Sequence, residues 1–162
     1  MIAALAAAIT TLSATCPLDG ALYQLRGAPG VTARFEARTP SADWVAKFGL
    51  SIRSAKTGAT YFLLPYSGNG QGITTHFASV MDLNAPPDPD SAKGRPIGDL
   101  DYLAVDQSYR FDQSFHAETG KHAPAHILIP ELQEALWYRA DKREGVPMAF
   151  FDLVGCRGAK AH

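Results

Sequence analysis

The sequence predicts a mainly antiparallel β domain, α+β at the margin. It is a meander of about seven or eight strands, closed as a sandwich or a barrel, with one C-terminal helix. Three observations predict it. Apolar and polar residues alternate with a period of two over residues 31–64. The connections between the alternating runs are short and carry Gly, Pro and Asn. Two cysteines, Cys16 and Cys156, bracket nearly the whole chain.

The chain of 162 residues starts with an uncharged apolar run, Met1 to Ile9, followed by small residues up to Thr15. That order suits a secretory signal over residues 1–15, although no Lys or Arg precedes the run. The run falls short of the about 20 apolar residues a membrane span needs. A single domain is then expected over 16–156, with 157–162 as a disordered tail. In an exported chain the two cysteines are expected to form a Cys16–Cys156 disulfide.

Strands are expected through residues 21–81. Val31, Ala33, Phe35 and Ala37 alternate with Thr32, Arg34, Glu36 and Arg38. Phe48, Leu50 and Ile52 repeat the pattern, as do Thr60, Phe62 and Leu64, and more weakly Ile73, Thr75 and Phe77. Turns are expected at Gly27–Gly30, at Lys56–Gly58 and in the glycine-rich run 67–72. The stretch from Asn84 to Gly98 holds four prolines, which exclude a helix or a central strand. Loops of that length are usually functional or disordered. Leu100–Val105 returns to the sheet, residues 109–122 stay unassigned, and Ile127–Ile129 reads as a short buried strand. Pro130 then starts a helix over 130–143, with Leu132 and Leu136 on its apolar face and Gly145 after its end. A last strand is expected over Val146–Val154, apolar on both faces and therefore well covered. The order of strands, helix and final strand is similar to lipocalin-like barrels, and that resemblance implies a small-molecule carrier with an apolar interior.

The formal charge is −1, and Lys and Arg form no stripe. Nucleic acid is therefore not an expected partner, because phosphate binding needs concentrated positive charge. No membrane span is expected either.

Candidate chemistry is sparse. His116, His122 and His126 are the nearest approach to a metal set. Pro124 interrupts the one helical pair among them, and on an extended chain His122 and His126 stand about 13 Å apart. All three are expected to be solvated loop residues, with no metal and no cofactor. Asp88, Asp90 and Asp99 take positions one, three and twelve of a calcium-type loop, but Ala92 and Lys93 occupy its fifth and sixth. A solvated acidic loop is expected there. His76 could join a Ser-His-Asp set, but no Gly-x-Ser-x-Gly elbow exists, so no catalytic residue is assigned. The loop holding Gly68, Gly70 and Gly72 is the expected recognition element, with Tyr66, Asn69 and Gln71 as contacts. The expectation that follows is a secreted or periplasmic, non-catalytic binding module for a protein or cell-envelope component. The alternatives are the small-molecule carrier and a small hydrolase, which could be metal-dependent.

Overall fold

A computed structural model describes residues 16–66, 75–91, 93–112 and 121–157. Eight antiparallel strands close into a barrel in the order in which they occur. They are β1 (Ala21–Leu25), β2 (Ala28–Ala37), β3 (Phe48–Ser54), β4 (Thr60–Tyr66), β5 (Thr75–Val80), β6 (Asp99–Val105), β7 (His126–Leu128) and β8 (Phe151–Cys156). One α-helix, α1 (Leu132–Tyr138), lies between β7 and β8. The barrel, rather than the sandwich, is the closed form. Among the described residues no helix is long and apolar enough to cross a membrane.

The period of two explains the core. Each strand sends alternate side chains inward. Tyr23 and Leu25 come from β1, and Val31, Ala33 and Phe35 from β2. Phe48, Leu50 and Ile52 come from β3, and Tyr61 and Leu63 from β4. Phe77, then Leu100, Tyr102 and Ala104, then Ile127, then Phe151 and Leu153 complete the ring. An eight-stranded barrel has an interior that side chains can just fill. Here aromatic rings fill much of it. Phe35 meets Tyr23 and Tyr102 edge to face at 6.2 and 6.1 Å, and Tyr102 tilts against Phe77 at 5.0 Å. Burial pushes both tyrosine hydroxyls well above the ordinary phenol range. Tyr23 donates its hydroxyl to the Pro124 carbonyl at 2.9 Å.

The two ends are plugged. Helix α1 joins the end of β7 to the start of β8 and adds Leu132, Ala135 and Leu136 to the core. At the opposite end Cys16, Leu18 and Ala123 do the same, held by backbone bonds from Leu18 to Lys121 and from Ala123 to Cys16.

A second, smaller cluster lies on the outer face, formed by Trp44, Leu64, Ala78, Val80 and Leu83. Arg38 builds it. Its buried guanidinium donates to the carbonyls of Leu83, Trp44 and Ala46 and so ties residues 44–46 to the start of the 81–98 segment. Burial lowers its pKa. Trp44 donates its indole N–H to the Pro87 carbonyl, and Arg95 covers the indole ring at 5.4 Å. The proline-rich stretch is therefore an ordered covering. It approaches β3 so closely that a side chain at Gly49 would occupy the space of Leu83.

Several sequence expectations need correction. On β4 the inward residues are Tyr61 and Leu63, not Thr60, Phe62 and Leu64. Leu64 reads as core because the outer cluster buries it. The first turn is only Arg26-Gly27, and Ala28 to Gly30 already belong to β2. Gly27 takes φ 78°, which suits a two-residue hairpin. Helix α1 is shorter than 130–143, because the Ala140 N–H returns to the Ala135 carbonyl in a 6→1 bond that closes the helix. The last strand starts at Phe151, not Val146. Pro147 cannot donate to a ladder, Val146 turns into the core, and Met148 is exposed. Residues 1–15, 67–74 (including the expected glycine-rich turn), 92, 113–120 and 158–162 lie outside the described residues.

The expected disulfide is present. Cys16 and Cys156 are bonded across a sequence separation of 140, with Cα atoms 5.5 Å apart. In the loop-entropy picture a crosslink of that span stabilises by up to about 5 kcal/mol. The C16S/C156S variant should remain a barrel and unfold at lower urea concentration with a steeper slope, because the uncrosslinked unfolded chain exposes more surface. An unchanged midpoint would contradict a stabilising role.

Candidate functional site

The most organised polar cluster lies where β7, β8 and β1 meet on the outside of the barrel. Ile127 and Phe151 point inward, so their neighbours His126 and Asp152 point outward and face each other across the β7–β8 pair. His126 Nδ1 lies 2.7 Å from Asp152 Oδ1. Arg26, just past β1, clamps the same carboxylate through Nε at 2.9 Å and Nη2 at 2.7 Å. This bidentate geometry is the strong form of an arginine–carboxylate pair, and it raises the pKa of Arg26. Nη2 also donates to the Tyr109 hydroxyl at 2.8 Å.

Tyr109 covers the pair. Its ring stacks on His126 at 4.4 Å and 12°, and Phe150 tilts against both. The guanidinium of Arg26 lies 5.5 Å from the centres of the Tyr109 and Phe150 rings. His126 is therefore only 4% exposed although it sits on the outer face. That overturns its reading as a solvated loop residue.

The turn that presents Tyr109 is specific. Tyr109 has φ 59°, the left-handed region that non-glycine residues seldom enter. Asp106 holds it there. Its carboxylate accepts the N–H groups of Ser108 and Arg110 at 2.7 and 2.9 Å and the side chain of Arg110 at 3.1 Å. The backbone bond from Arg110, above all, keeps the Asp106 carboxyl below its ordinary value. Beside the turn runs a cleft of about 400 Å³ of mixed character, lined by Asp106, Arg110, Asp112 and His122 together with Val105 and Ala123.

A second His–Asp pair stands on β5 and β6. His76 Nδ1 contacts Asp101 Oδ1, and the Asp101 N–H donates to Glu131 just before α1 at 3.0 Å. Both side chains of this pair are more than a third exposed. A His–Asp pair is two-thirds of a hydrolytic triad. At His126 the remaining third is absent among the described residues, since no hydroxyl or thiol bonds to its imidazole. Asp152 also divides its charge between His126 and Arg26, so the cluster works as a strut across the β1–β8 closure.

The sequence-derived candidates are spread out. Tyr66 ends β4 with its backbone opposite His76. Its side chain, Asn69, Gln71 and His116 lie outside the described residues. His122 is exposed and lines the cleft, while His126 is turned to β8, so the two do not converge. Asp88 accepts the Asp90 N–H in a local turn, and Asp99 pairs with Arg95 at 3.5 Å. No group of three His, Cys, Asp or Glu side chains able to hold a metal occurs among the described residues. The Arg26–Tyr109–His126–Asp152 cluster has no local sequence signature, because His126 and Asp152 meet through strand register and Tyr109 reaches them from the 106–112 turn. Only the local Asp-x-Ser pattern at Asp106 hinted at an ordered turn. No family model, curated protein or solved structure matches the chain.

The lowered carboxyl of Asp106 gives a pH prediction. Its unfolded value is near 3.8, so the stabilising bonds are complete above that pH and are lost as pH falls through the lowered native value. Nuclear Overhauser contacts between the Tyr109 and His126 rings should persist at pH 4 to 5 and fade only in stronger acid. Asp106→Asn should weaken them at neutral pH. Contacts insensitive to Asp106→Asn at every pH would contradict this.

Proposed function

We propose that the chain is an exported, non-catalytic binding module that recognises a protein or cell-envelope component through segments on the outside of the barrel. The observation that carries this reading is the filled interior. Tyr23, Phe35, Phe77, Leu50, Leu63 and Phe151 are each at most 1% exposed and occupy the space a carrier would keep for its ligand. Recognition is then left to the outer surface. There the chain displays large side chains on its connecting segments, with Val45, Met81, Trp137, Tyr138 and Met148 all substantially exposed. A disulfide that joins the two ends supports a secreted or periplasmic location, since such bonds persist in oxidising compartments.

The hydrolase alternative draws on the two His–Asp pairs. It is the weaker reading, because Tyr109 covers the His126–Asp152 pair and no hydroxyl or thiol bonds to that imidazole among the described residues.

Binding of immobilised protein to purified envelope sacculi, to lipid vesicles and to a secreted-protein fraction tests the proposal. The expected result is saturable retention of one fraction, unchanged in His76→Ala and His126→Ala. Turnover of a chromogenic ester or peptide that disappears in either variant would replace this reading with the hydrolase.

A further inference from the structure

The outer face of α1 carries an arrangement that fold stability does not require. The helix buries Leu132, Ala135 and Leu136 and turns Gln133, Glu134, Trp137 and Tyr138 to solvent. Gln133 with Trp137, and Glu134 with Tyr138, are spaced four apart, so each polar group stands one turn from an aromatic ring on the same side. These four residues and Gly145 line an open groove of about 410 Å³. That volume lies within the range of about 300–1,000 Å³ usual for small-molecule sites. Trp137 is 45% exposed and Tyr138 71%. The backbone at Gly145 supports the indole from one side, since a methyl group placed there would lie 3.7 Å from its six-membered ring.

We propose that this groove is a carbohydrate subsite that takes an uncharged pyranose unit of a glycan. The proposal deepens the binding-module reading and rests on it. A pyranose has an apolar C–H face and a rim of hydroxyls. An exposed indole offers a flat apolar surface to the first, and weak C–H contacts favour such stacking. The Gln133 amide both donates and accepts, and the Glu134 carboxylate accepts, which matches neighbouring hydroxyls. Charge selects against ionic ligands. Glu134 is balanced by Arg139 at 3.6 Å, so the rim presents little net charge. An apolar peptide helix would need a continuous apolar strip, whereas here every ring is flanked by a polar head group.

The test is a titration of the intact protein with chitohexaose, cellohexaose and maltohexaose, followed by tryptophan emission. The chain has two tryptophans, and Trp44 is buried, so a response reports on Trp137. Two variants keep the test clear of folding effects, each checked by circular dichroism and melting. Trp137→Ala removes the platform, and Gly145→Leu keeps the indole side chain but crowds the groove beside it. The expected result is saturable binding of at least one oligosaccharide, at least about tenfold weaker in both variants and unchanged in Tyr109→Ala. No saturable response to any of the three, or affinity retained in either groove variant, overturns the subsite. Retention of an envelope or protein fraction that survives Trp137→Ala would leave the binding-module reading standing while this site falls. Loss of all retention by the wild type would remove both.

Discussion

Pairing of β1 with β8 joins the two ends of the described chain, setting Ala21 opposite Cys156 and Leu25 opposite Phe151. Without that pairing the sheet has two open edges, and open edges invite association with other chains. With it, every strand is paired on both sides and every alternate side chain is committed to one interior. Several interactions hold the same closure. The Cys16–Cys156 bond fixes one end of β8. The Arg157 N–H reaches the Gly20 carbonyl there. At the other end Arg26 crosses from β1 to Asp152 on β8, and His126 extends the contact to β7. Such a contact between distant segments carries a large loop-closure entropy, which explains why crosslinks are concentrated at it.

Closure also determines where function can lie. The inward ring of aromatic and aliphatic side chains leaves chemistry to the outer face and the connecting segments. Those segments are built in two ways. The 39–47 and 81–98 stretches cover β3 to β5 with their own small core, pinned by Arg38, Trp44 and Arg95. The 106–112 turn and α1 instead present ordered side chains outward. Tyr109 is held in place by Asp106 and Arg26, and Trp137 is supported by the Gly145 backbone. A rigid scaffold with preorganised outer residues lowers the ordering cost of recognition.

Much of this architecture was legible in the sequence. Alternation at Val31-Ala33-Phe35 and Phe48-Leu50-Ile52 names the true inward faces, because the opposite side of those stretches carries polar residues or glycine, even where Leu83 covers Gly49 on β3. Alternation misleads at Leu63-Leu64, where both residues are buried, one inside the barrel and one beneath Trp44 and Leu83. The disulfide followed from cysteine count and placement. The His126–Asp152 pair did not, because partners 26 residues apart meet only through the register of β7 on β8. Trp137 directly follows Leu136, which lies on the apolar face of the helix. Its position next to Leu136 hid the fact that adjacent helical residues point in different directions, and only the true helix phase places it outside.

If the barrel interior belongs to the fold, recognition is left to the outside. The most direct measurement is a titration of the native protein with a fluorescent fatty-acid analogue, repeated on an Ala104→Trp variant that overfills the interior. A filled interior allows no saturable, stoichiometric uptake by the native protein. Uptake of one probe per chain, abolished by Ala104→Trp in a variant that still folds, would contradict it and make the barrel a carrier.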